Sequence, residues 1–267
     1  LVLSNSYMFG VPDIEVADEL EKVRAENDYV ASQVAEYPTR LIGLCSVNPL
    51  AAYALDEIAR CAGDPRLGGL KLHLANSDVD LTKEAHVETM TAVFGHLEEL
   101  GLPVLVHMRT RNPEYGADDA NVFIDRVLAT APGVHVQIAH MAGWGGYDDG
   151  TDAALGAFVA AFEEGRLARD NLVFGLGAVV FLPEAAGDNE ELAAMVRDAN
   201  QKLAQRIRQL GTERVVFATD WPSCPPGDDA SVGIEKNLEL VRSALPLSEE
   251  EMEQVLANVS GIFSLGR

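Results

Sequence analysis

Three cysteines are spread over 267 residues, an odd number with no Cys-x-x-Cys spacing. That scarcity excludes a disulfide framework and fits reduced thiols. Basic residues are also few: 20 Lys and Arg face 42 Asp and Glu, a formal charge of −22, and no basic run occurs. Nucleic acid and anionic membrane surfaces are therefore not expected partners. No apolar stretch approaches the roughly 18 residues of a membrane span. No signal-peptide pattern opens the chain either, so a cytoplasmic location is expected. No Gly-x-Gly-x-x-Gly loop follows any apolar run, which removes support for an open dinucleotide-binding sheet. Internal repeats, low-complexity tracts and linkers are absent.

What is present is an ordinary globular composition, 48% hydrophobic and 23% charged, of a size common for a single α/β barrel. Apolar runs of strand length alternate with segments of helical spacing. Strands are expected over 1–6, 40–47, 68–74, 102–107, 133–140, 171–179 and 214–220. Helices are expected over 14–37, 51–62, 82–100, 120–130, 152–164 and 190–210, with two more closing the chain. Gly101 stops one helix, and Ser248 with Glu251 forms a capping box that opens the last. Strand-helix alternation implies parallel strands with right-handed crossovers. Seven strands are found where a closed barrel has eight, and the chain opens in mid-strand at Leu1. The expected architecture is a (β/α)8 TIM barrel occupying residues 1–267 as one domain. Its first βα unit is expected to lie upstream of Leu1.

Side-chain alternation places chemistry at the carboxyl ends of these strands, where barrels collect it. Gly69, Lys71 and His73 share one face of the third strand, opposite Leu70, Leu72 and Leu74. His107 ends the fourth strand on the face of Leu105. His140 ends the fifth on the face of Val136 and Ile138. Asp220 ends the last, opposite Phe217. Two imidazoles and a carboxylate meeting in a barrel mouth suit a divalent transition metal: Zn first, with Mn or Fe as alternatives. His86 and His96 lie in a helical pattern, and His135 opens a strand at the far end.

The stretches Leu105-Val-His107, Ile138-Ala-His140-Met-Ala-Gly143, Gly69-Leu-Lys71-Leu-His73 and Ala218-Thr-Asp220-Trp-Pro222 resemble signatures of the amidohydrolase-related family. This branch of the amidohydrolase superfamily includes aminocarboxymuconate-semialdehyde decarboxylase, γ-resorcylate decarboxylase and pyrone-dicarboxylate lactonase. The resemblance runs from the first strand to Asn258-Val-Ser-Gly-Ile-Phe263. It implies a barrel with a metal at the strand ends. His107 would be a metal ligand, His140 an acid or base, and Asp220 a metal ligand that exchanges a proton with water. Lys71 and His73 would bind substrate. The family's His-x-His pair belongs on the first strand and has no counterpart here.

These expectations describe a metal-dependent hydrolase acting on a small carboxylated or cyclic ester, lactone or amide. Metal-activated water would attack with Asp220 as base. Arg109 and Arg111, just past His107, would grip a substrate carboxylate, since a guanidinium fork matches that geometry. Trp144 and Tyr147 would wall an apolar substrate, Trp221 would pack on the rim, and Cys224 would be a loop thiol. The alternatives are a non-oxidative decarboxylase of an aromatic or unsaturated carboxylic acid using the same residues, and a non-catalytic metabolite-binding barrel. The acidic exterior permits a homo-oligomer.

Overall fold

The computed structural model describes residues 1–11, 15–167, 170–220, 230–258 and 262–263. Trp221 and Cys224 lie outside the described residues. Seven strands form one sheet: β1 (Val2–Leu3), β2 (Gly43–Ser46), β3 (Leu67–His73), β4 (Val104–His107), β5 (Val136–Ile138), β6 (Leu172–Gly175) and β7 (Val215–Val216). They pair in chain order and all in parallel. Helices α1 (Glu19–Ala35), α2 (Ala54–Ala62), α3 (Glu84–Leu100), α4 (Ala117–Val122), α5 (Asp149–Glu163) and α6 (Glu190–Leu210) form the crossovers. Helices α7 (Ala230–Ala244) and α8 (Glu249–Ala257) close the chain. The described residues form a (β/α) barrel with seven of the eight strands that close one. Among the described residues no ladder joins β7 to β1, so these two are the sheet's edges.

The sheet separates two apolar populations, as alternation requires. Leu70, Leu72, Val104, Val106, Val136 and Ile138 face the helices and belong to the main core. Leu44, Leu105 and Ala139 face inward and pack with Ile262 and Phe263 from the end of the chain. Crowding there is severe: a Cβ on Gly69 would stand 2.7 Å from the Phe263 ring and 2.9 Å from the Pro103 carbonyl. Only glycine fits that strand position beside the inner plug.

Helix ends follow local chemistry. Asp148 caps α5 by accepting from the Thr151 amide, and Asn189 caps α6 through the Leu192 amide. The Ser248–Glu251 capping box is formed as expected. Gly101 ends α3 with φ 60°, the left-handed conformation glycine adopts cheaply. After α4 the chain widens into a π-turn over Phe123–Leu128 in place of the expected single helix.

The strands are shorter than their apolar runs. The first expected strand stops at Leu3 and gives way to a 3-10 turn, Ser6–Gly10. The fifth stops at Ile138 and the seventh at Val216. Most residues just after each ladder remain buried or half-buried, with Asn5 and Asp220 exposed, so burial persists past the point where strand pairing ends.

Candidate active site

His73 and His107 are register partners at the carboxyl ends of β3 and β4. Adjacent parallel strands lie about 4.8 Å apart, so two inward imidazoles in register meet face to face. Their ring centroids are 3.8 Å apart at 12°. One layer below, Lys71 pairs in register with Leu105, and Leu105 with Gln137. All four polar groups are buried: Lys71 4% exposed, His73 9%, His107 4% and Gln137 5%.

His140 reaches the same place by a different route. Alternation would put it with Val136 and Ile138, on the side of the helices. The structure corrects this: β5 ends at Ile138, and His140, Met141 and Ala142 all take positive φ (53°, 49° and 66°). Left-handed backbone costs non-glycine residues about 1–2 kcal/mol each. Here it breaks the alternation and turns His140 inward, 5.0 Å from the His107 ring. Its Nδ1 lies 2.8 Å from the Gly177 carbonyl oxygen, which only accepts, so Nδ1 carries the proton and Nε2 is bare.

Asp220 stands beyond the two-residue β7, not at its last ladder position, and also takes positive φ, 54°. Its carboxylate is exposed and sits close enough to Tyr7, Lys71 and His140 to bias the ionisation of all three. Trp144 is 49% exposed and stands edge-on to both His107 (5.3 Å) and His73 (6.0 Å). Tyr7 approaches His73 at 5.0 Å from the turn after β1.

Burial dominates the electrostatics. It drives the His73 imidazolium pKa down to about 3, helped by the charges of Lys71 and His140. It also drives His107 well below the usual range, with His73 and Lys71 adding to the effect. His140 is lowered by burial, against the opposing pull of the Gly177 carbonyl and Asp220. Burial brings the Lys71 ammonium down to about 8, and Asp220 limits the fall. At neutral pH the site therefore holds three uncharged imidazoles around a lysine of reduced basicity.

His107 Nε2 is sealed from solvent and has no hydrogen-bond partner. An orphaned buried nitrogen costs roughly 1–3 kcal/mol, and a neutral imidazole can present that nitrogen without its proton, as the donor a divalent cation takes. The residues thus fit such an ion in donor chemistry. They supply only part of a coordination sphere, since among the described residues no three His, Cys, Asp or Glu side chains cluster to hold one.

The two arginines divide. Arg109 donates through Nη1 to Asp148 Oδ1 and Oδ2 (2.8 and 2.7 Å) and to Thr151 Oγ1, and lies over the Tyr115 ring. Its charge is engaged by the cap of α5. Arg111 uses Nε on the Ala75 carbonyl, 2.8 Å away, and its charge reaches His73. Tyr147 is tied to Asp152 at 2.7 Å, beside Arg206. Sequence reasoning missed Tyr7 and the backbone groups of Asn76 and Gly177 that orient the imidazoles. An aromatic residue four positions past a strand end was the signal available for Tyr7.

The family model described as amidohydrolase matches residues 6–258. No curated protein matches the chain by sequence. Among solved structures, 2,6-dihydroxybenzoate decarboxylase from Rhizobium is similar with TM-score 0.60 at 16% identity, covering 97% of this chain and 81% of that one. A dihydroxybenzoic acid decarboxylase from Polaromonas sp. JS666, with bound manganese and the inhibitor 2-nitroresorcinol, gives 0.55 at 17%, covering 91% and 75%. An amidohydrolase from Burkholderia multivorans with bound zinc gives 0.53 at 16%, covering 88% and 76%. At these identities the structural likeness speaks for the barrel, and the family model, spanning nearly the whole chain, speaks for descent: the chain belongs to the amidohydrolase family.

Proposed function

We propose that the chain catalyses non-oxidative decarboxylation of an aromatic or unsaturated carboxylic acid, with a divalent metal ion held by His107 and Asp220. The observation that carries this reading is the aromatic enclosure. Trp144 stands edge-on over His73 and His107, and Tyr7 flanks His73, leaving walls that suit a planar ring. Support also comes from the two dihydroxybenzoate decarboxylases of similar fold, one of them with bound manganese.

A bound divalent ion would supply positive charge to hold the substrate's oxygens. The rest falls to the chain's own groups. Asp220, recharged with a proton from the solvent it faces, delivers that proton to the carbon bearing the carboxylate, whose π electrons form the new C–H bond. The C–CO2 bond then breaks, its electron pair restores the unsaturated system, and CO2 leaves. His140, with Nδ1 fixed on Gly177, offers Nε2 to accept a hydrogen bond from a substrate hydroxyl. Lys71, buried and near Asp220, keeps positive charge beneath the carboxylate. Arg111 rather than Arg109 is the cation free to approach the substrate, because Asp148 holds Arg109.

Hydrolysis of an ester, lactone or amide uses the same groups and remains the second reading, favoured by the zinc-bound amidohydrolase of similar fold. The two are separated by incubating the manganese- or zinc-loaded protein with hydroxybenzoates in D2O. Decarboxylation is expected to release CO2 and place one deuterium on the product ring, with Asp220→Asn slower by about 100-fold or more. A new carboxylate from an ester or lactone, with no CO2 from any acid, would reverse the order of the two.

A further inference from the structure

The three buried imidazoles are not equivalent, and backbone groups decide their differences. The Asn76 amide donates to His73 Nδ1 at 3.3 Å. That amide is pinned by a turn in which the Ser77 amide bonds the His73 carbonyl and the Val79 amide bonds the Leu74 carbonyl. A nitrogen that accepts an N–H carries no proton, so a neutral His73 holds its proton on Nε2. Neighbouring rings favour this orientation of the imidazole. His107 is stacked on it at 3.8 Å, with Tyr7 at 5.0 Å and the edge of Trp144 at 6.0 Å. His140 has the opposite arrangement, Nδ1 protonated on Gly177 and Nε2 bare. Among the described residues nothing bonds Nε2 of His73.

We infer that His73 is a substrate-positioning residue that donates Nε2–H to an anionic oxygen of the substrate, and that it is not a metal ligand. Ligation needs a lone pair. On His73 one lone pair is taken by Asn76 and the other nitrogen is protonated. A donor fixed in direction, beside a lysine and walled by aromatic rings, recognises a carboxylate or phenolate oxygen on a flat molecule. The substrate assignment rests on the decarboxylase reading; the proton's location rests on the hydrogen bond alone.

Nitrogen-15 NMR of histidine side chains in the full chain, with His73→Phe for assignment, tests the second part without any substrate. The expected result is a protonated Nε2 and a bare Nδ1 on His73, unchanged when zinc is added. A bare Nε2, or loss of the Nε2 proton on zinc loading, overturns the inference. Kinetics with 2,6-dihydroxybenzoate test the first part. His73→Phe keeps the stack without the donor and is expected to raise KM about tenfold or more at unchanged metal content. His73→Gln places an amide N–H near the Nε2 position and is expected to recover most of that loss. Equal impairment in the two variants would make His73 merely structural and overturn the positioning role. Wild type inactive on every carboxylic acid would sink the decarboxylase reading instead, with the NMR result still deciding the tautomer.

Discussion

Lys71 shows how a single buried group ties stability to chemistry. Its ammonium is held at about 8 by burial, against 10.5 in an unfolded chain, with Asp220 opposing the shift. Between those values the unfolded chain binds more protons, so stability rises with pH through that window. Below pH 8 the full cost of burying the charge is borne. Lys71→Met should therefore stabilise the metal-free protein at pH 7 by on the order of 1–3 kcal/mol. The advantage should shrink above pH 8 and vanish above about 10.5. Urea unfolding at pH 7, 9 and 10.5 checks this, and a Met variant less stable at pH 7 would refute it. Gly69, two residues earlier on the same face, carries a different constraint, since any side chain there would meet Phe263.

Among the elements, the loop after β4 and the start of α5 are joined by one carboxylate. Asp148 caps α5 through the Thr151 amide and grips Arg109, while Tyr115, beneath Arg109, donates to the Ala142 carbonyl at 2.7 Å. Burial works against the charge on Asp148, yet Arg109 and Thr151 hold its pKa at about 2, so the contact persists through mild acid. Removing the cap typically costs about 1 kcal/mol. Asp148→Ala is expected to lower stability by about 1–2 kcal/mol, because the exposed ion pair adds little. It should also lower activity, since Trp144 stands on the loop it anchors. Thermal unfolding and kcat/KM measured together test this; full activity with lost stability would confine Asp148 to a capping role. Legibility also divides by element. His73 and His107 were readable because β3 and β4 run in register to their last residues, where alternation holds. His140 was expected in the barrel mouth and stands there, but not by alternation: Val136 and Ile138 face the helices, and three left-handed residues after β5 turn the imidazole inward. The engagement of Arg109 could not be read, since its partner lies 39 positions away. Tyr7 enters from a turn without periodicity.

At the scale of the molecule, the order and direction of the strands were legible from the rhythm of apolar runs, whereas the inner plug was not. Ile262 and Phe263 meet Leu44 and Leu105, more than 150 residues away in sequence, through contacts that no local pattern announces. Phe263 is 6% exposed, and its truncation to Ala is expected to cost about 3–5 kcal/mol. Guanidinium unfolding measures this, and a loss below 1 kcal/mol would show that the plug does not hold the barrel together. The plug also has a consequence in time. Every strand pairs with the one made just before or after it, so a growing chain can add strands in the order of synthesis, each on a template already present. The plug runs against that order: it follows all seven strands in sequence, yet it lies against the second. A nascent chain therefore carries an unfilled interior until residues 262 and 263 leave the ribosome, and stalling shortly before that point would leave the seven strands paired with their centre open to water.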